Sequence, residues 1–209
     1  MNTYKLPLGI RIPNFDEYPN GYNIDEINMK RDSASIIEGY NLTKVQGEKF
    51  THFAEINIDA DNLWTLFVAL SEGLIGDIAY GIIGFKDEKP TMSNFTEKQR
   101  IIDILNGYNF ELVNDGYIQF GIAYYDESSL NQIFITSFKY LQVWTTDSKE
   151  LVETLNKYKI SEQENLNFID EFSVVSEALS AEKLSGVRHY SDVISEIESE
   201  FAALYSCSR

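Results

Sequence analysis

The strongest constraint on this chain is a pair of alternating apolar runs near its middle, residues 117–125 and 130–145. Four polar residues, Asp126-Glu127-Ser128-Ser129, separate them. Alternation of period two sends successive side chains to opposite faces of a strand, and a short polar break between two such runs signals a hairpin. In the first run Ile118, Phe120, Ile122 and Tyr124 share a face. In the second, Ile133, Ile135, Leu141 and Val143 share one face, while Phe134, Phe138, Tyr140 and Trp144 share the other. A strand apolar on both sides is expected at the centre of a sheet.

The flanking pattern supplies further strands and the helices to cover them. His52, Ala54, Ile56 and Ile58 alternate with polar neighbours, so residues 49–58 read as a strand, with Phe53 interrupting its polar side. Asp59 or Asp61 is placed to cap a helix running to Leu74, which is apolar nearly all round and therefore expected to be buried. Residues 77–85 read as a buried strand, followed by a charged loop over 86–90. Thr96 and Gln99 form a capping-box pattern ahead of a helix with the stripe Ile101, Ile102 and Leu105, closed by Asn106-Gly107. A further helical turn is expected over 109–114, ended by Asp115-Gly116. Asp147 caps a helix with Leu151, Val152 and Leu155 as its buried stripe. The final helix carries Tyr190, Val193, Ile194, Ile197, Phe201, Leu204 and Tyr205 at helical spacing.

The ends are less regular. Pro7, Pro13 and Pro19 with the Asn20-Gly21 turn signal mark residues 1–30 as an irregular arm, pinned by Tyr4, Phe15, Tyr18 and Tyr22. Residues 161–167 read as a polar linker, and 168–179 fit either a helix or a strand. The whole is expected to be one α+β domain of residues 1–209: a mixed, mostly antiparallel sheet with helices packed on it over 31–158, the arm before it, and a C-terminal extension over 159–209 that ends in a helix.

Chemistry-bearing motifs are sparse. His52 and His189, the two histidines, have no second His or Cys at ligand spacing, so no metal site is expected. His52 reads as a half-buried strand residue with one hydrogen bond, and His189 as a loop or cap residue. The glycines around 73–84 lack the endings of a phosphate loop or a dinucleotide turn, so no cofactor is expected. Cys207 lies in a short polar tail, without the pocket and base a catalytic thiolate needs. The start has no long apolar run, and nothing approaches the roughly 20 apolar residues that span a bilayer. A soluble cytoplasmic protein is the expectation.

Charge is the informative property. There are 33 Asp and Glu against 17 Lys and Arg, a formal net charge of -16. Nucleic acids and anionic membranes reward the opposite sign, so neither is expected as a partner. No Lys or Arg lies between Lys49 and Lys86, or between Arg100 and Lys139, while acids occur throughout both stretches. Such a surface holds a negative potential over about 8 Å and steers a basic protein toward it.

Two segments resemble a known group. Gly84-Phe85-Lys86-Asp87-Glu88 closes an apolar strand that follows an apolar helix, and Phe138-Lys139-Tyr140-Leu141-Gln142-Val143-Trp144-Thr145 closes a hairpin. Over residues 49–158 this is similar to the immunity proteins of bacterial polymorphic and contact-dependent toxin systems. The resemblance implies a non-enzymatic protein that binds a cognate toxin and blocks its active site, and carries no catalytic residue across. On this reading Asp87, Glu88, Asp115, Asp126 and Glu127 meet basic groups of the toxin, with Tyr124 and Tyr125 as aromatic anchors. The alternatives are a small hydrolase using loop carboxylates with His52, and a scaffold or adaptor subunit.

Overall fold

The alternating runs do form the centre of a sheet, but the second folds back on itself. In a computed structural model describing residues 4–46 and 49–204, residues 130–145 make two strands rather than one. The elements in chain order are β1 (Ile10–Arg11), a 3-10 turn (Phe15–Glu17), α1 (Ile24–Ser33), β2 (Gly39–Lys44), β3 (His52–Asn57) and α2 (Ala60–Leu74). There follow β4 (Ile78–Phe85), β5 (Thr91–Met92), β6 (Thr96–Glu97), α3 (Lys98–Asn106), α4 (Asn109–Asn114) and β7 (Ile118–Tyr125). The chain continues with β8 (Leu130–Ile135), β9 (Leu141–Thr145), α5 (Ser148–Lys157), a second 3-10 turn (Ile169–Glu171), β10 (Val175–Ser176) and α6 (Tyr190–Ala203). The main sheet runs β2-β3-β9-β8-β7-β4-β5, with β6 also on β4. Its ladders are antiparallel, with one isolated parallel bridge between Tyr40 and Glu162. The class is α+β, and β8 holds the middle of the order.

Helices cover one face of this sheet. Phe67 of α2 packs edge-on against Phe120 of β7 at 5.2 Å, and Trp64 lies 6.3 Å from the same ring. Ile56, Leu141, Val143, Ile133, Ile135, Phe120, Ile122 and Ile83 form the sheet side of the core, and Leu63, Leu66, Leu70, Leu151, Leu155, Val193, Ile197 and Phe201 form the helix side. Gly81 is where α3 and α6 press closest: a Cβ there would sit 2.4 Å from the Phe201 ring and 2.8 Å from Ile101. No helix among the described residues is long and apolar enough to cross a membrane.

Several expectations need correction. Asp59 precedes α2, but its carboxylate accepts the Lys5 backbone N–H rather than one from the helix, and Asp61 pairs with Lys5 Nζ at 2.7 Å. The start of α2 has instead become the dock for the arm. Thr96 pairs with Ala79 in β6, so α3 begins after Glu97, and Gln99 bonds Asp103 rather than closing a capping box. Asp147 does cap α5, accepting the Glu150 N–H at 3.0 Å. The stretch 168–179 becomes a 3-10 turn and a two-residue strand.

The N-terminal arm is more regular than its prolines suggest. It contains helix α1, capped by Asn23, and β1, which pairs with β10 of the C-terminal extension. Tyr4 is buried and Tyr18 partly so, but Phe15 and Tyr22 are 79% and 58% exposed and pin nothing. Arg11 clamps Glu17 at 2.7 Å and Glu177 at 3.2 Å, and so ties both ends of the chain together. The expectations placed on Tyr205 and Cys207 lie outside the described residues.

Candidate partner-binding surface

The second face of the sheet is built by the complementary register positions. The ladders align two rows across six strands: Thr43, Phe53, Trp144, Gln132, Ala123 and Tyr80 in one, and Asn41, Glu55, Gln142, Phe134, Gly121 and Ile82 in the other. All the helices that touch the main sheet in the core lie on the opposite side. Phe53, Phe134 and Trp144 are only partly buried, and none of them belongs to a core cluster. Apolarity on both sides of residues 130–145 therefore has two causes: one face is core, and the other divides into the partly exposed Phe134 and Trp144 and a covered end where Phe138 and Tyr140 pack.

Cross-strand contacts order this surface. The rings of Phe53 and Trp144 lie 5.1 Å apart at 42°. Glu55 Oε1 accepts from Gln142 Nε2 at 3.3 Å, and the Asn41 side chain accepts the Glu55 backbone N–H at 3.2 Å. The Phe134 ring lies against Gly121, where a Cβ would be 3.2 Å from its edge. Toward β4 the row ends in Tyr80, stacked on Tyr125 at 4.7 Å.

One end of this face is covered by the first part of the C-terminal extension. Tyr140 packs on Phe168 at 4.7 Å and donates to Asp170 Oδ2 at 3.2 Å, while Asn57 donates to the Asn167 carbonyl. The Tyr140 phenol is pushed well above its ordinary value by burial, then by the charges of Asp170, Glu55 and Glu171. Burial also raises the Asp170 carboxyl. Asp170 and Glu171 thus make an electronegative margin beside the open rows, next to Glu55 within them. Sequence reading missed Asp170 and Glu171, because the segment holding them has no period that places it against β3 and β9.

The expected partner-binding residues separate into three groups. Asp87 and Glu88 are exposed in the loop after β4, whose backbone Gln119 holds through the carbonyls of Phe85 and Glu88. Glu88 also lines a shallow groove of about 340 Å³ with Glu198, Phe85, Tyr190 and Ile194. Asp126 and Glu127 lie at the opposite end of β7. Eight strand residues separate the pairs, about 26 Å, so they border the open face from two ends rather than forming one cluster.

Asp115 cannot meet a partner. It is fully buried, accepts the backbone N–H groups of Tyr117 at 2.8 Å and Leu179 at 2.9 Å, and interacts with the buried ammonium of Lys139. Burial raises its carboxyl against the pull of those bonds. Asp126 is occupied by its own hairpin. One oxygen accepts the N–H and hydroxyl groups of Ser128 and Ser129, and the other accepts Tyr124 Oη at 3.0 Å, which holds the carboxyl far below its usual range. Tyr124 and Tyr125 are partly buried, Tyr124 lying 6.0 Å from Phe95.

His52 is partly buried on the helix-covered register, opposite Thr145 and Lys44, and bonds Thr51 Oγ1 at 2.9 Å. His189 caps α6, accepting the Ser191 N–H. Among the described residues, no three His, Cys, Asp or Glu side chains converge as metal ligands. Comparison with family models, with curated proteins and with solved structures finds no match for this chain.

Proposed function

We propose that this protein binds a basic protein and neutralises it by occlusion, as an immunity protein does its cognate toxin. The observation that carries the reading is the helix-free sheet face over β3, β9 and β8, with Phe53, Trp144 and Phe134 partly exposed and acids in and beside it. The two rows cross six strands, about 24 Å at about 4.8 Å per step, a breadth on which a protein interface can be centred. Aromatic anchors ringed by charge are the arrangement of such interfaces. Glu55 within the rows and the acidic margins of Asp170, Glu171, Asp87 and Glu127 complement a toxin whose active site is basic because it holds phosphate groups. Chemistry by the chain itself has no part in this mechanism, which works by denying substrate access.

The test is co-expression with a toxic domain from the neighbouring reading frame of the native genome, and a neighbourhood that encodes none counts against the reading. The wild-type chain should restore growth, and the double variant Phe53→Ala, Trp144→Ala should lose the rescue while its melting temperature stays within a few degrees of wild type. Undiminished growth arrest beside the wild-type chain would overturn the proposal.

A further inference from the structure

Glu55 is the one acidic or basic side chain in the two open rows, and its surroundings are specific. Its carboxylate is held by Gln142, and its backbone by Asn41. Phe53, on the same face of β3, is one side-chain repeat away, about 7 Å. The cross-strand partner of Phe53 is Trp144, whose ring pairs with it at 5.1 Å, so the aromatic pair and the carboxylate are diagonal neighbours. On the opposite side stand Tyr140 and Asp170, and the Glu55 charge is felt at the Tyr140 phenol. Lys44, the nearest lysine in the β2–β3 ladder, has the register of the helix-covered face.

We infer that this spot is the seat for an arginine presented by the partner protein. The guanidinium lies on the Trp144 ring beside Phe53, and its N–H groups reach the Glu55 carboxylate and the Gln142 side-chain oxygen. The spacing suits that shape: a planar cation with five donors bridges a ring and a carboxylate about 7 Å apart, whereas a compact ammonium satisfies one or the other. The inference rests on the docking reading above and names the side chain the partner must supply.

Trp64 and Trp144 are the two tryptophans, one in helix α2 against the covered face and one in the open row, so their indole N–H resonances serve as control and reporter. Titrating the full chain with acetyl-Arg-Arg-Arg-amide should move the Trp144 signal and leave Trp64 in place. Acetyl-Lys-Lys-Lys-amide at equal concentration should move it several-fold less. Glu55→Gln should weaken the arginine response by about 5- to 10-fold, as expected for loss of one charge-assisted contact, without lowering the melting temperature. A Trp144 signal that stays still, that responds equally to both peptides, or that responds undiminished in Glu55→Gln overturns the inference. So does a shift on concentrating the protein alone, which would make the occupant a second copy of this chain. Growth rescue reads the broader proposal separately: rescue with a silent Trp144 removes only the arginine seat, and an arginine-selective Trp144 without rescue removes only neutralisation.

Discussion

Lys139 carries an ammonium group into the interior, where Nζ donates to the carbonyls of Leu112 and Ile118 and faces buried Asp115. Burial lowers it to about 7, against the smaller opposing pull of Asp115. The unfolded chain keeps the proton up to its ordinary value near 10.5, so the stability linked to this group is complete above that value. It is lost as pH falls toward 7. Melting temperature should therefore climb between pH 7 and 9.5, and the climb should flatten in Lys139→Met. Asp115 acts in the opposite sense at low pH, since its raised carboxyl gives stability that is lost as pH rises through its folded value. Removing one member of a buried pair strands the other, so Asp115→Ala should cost about 3–5 kcal/mol in denaturant unfolding. Asp126→Ala, which opens a turn held by one carboxylate, should cost about 1–2 kcal/mol, while Glu127→Ala should stay within about 0.5 kcal/mol. None of this distinction is visible in the sequence, where Asp115-Gly116 and Asp126-Glu127 are alike as acids at the ends of strand patterns. What separates them is which backbone N–H groups the fold brings to each carboxylate.

At the level of elements, the hydrophobic period carried the most information. β3, α2, β4, β7, α5 and α6 fall close to where alternation or helical spacing puts them, because each buries a continuous apolar face. The turn between β8 and β9 was hidden because it has no Gly, Asn or Pro. Lys139 takes the left-handed position at φ 65°, held by its own interior hydrogen bonds. The face assignment nevertheless survives, since Ile133 pairs with Val143 and Ile135 with Leu141 across the turn. Helix α1 was hidden for the reverse reason: none of its residues is fully buried, so it has no core stripe to announce it. The tight seat of α6 on β4 makes a direct test. Gly81→Ala should push against Phe201 and Ile101, cost about 1–3 kcal/mol by overpacking, and reduce hydrogen-exchange protection along α6 more than along α5.

For the whole molecule, the sheet divides into a helix-covered face and a helix-free one, and on the proposed reading this separates stability from recognition. Substitutions among the open aromatics should leave thermal unfolding nearly unchanged while altering association, and those among Phe67, Phe120 and Phe201 should do the reverse, each costing about 3–5 kcal/mol as alanine. Charge reversal at Glu55 and Asp170 together should slow association with a basic partner and flatten its dependence on salt, measured by stopped flow across ionic strength. The sequence already held the acids and aromatics of this surface. It did not show that they share a face, because that follows from strand order. The clasp of β1 on β10 has a consequence for synthesis. Arg11 and Glu177 are 166 residues apart, so the clasp must wait until most of the chain has left the ribosome. The open rows draw only on residues 41–144, so the sheet that carries them can form first, and a nascent chain would hold the proposed docking surface before the β1–β10 clasp is fastened.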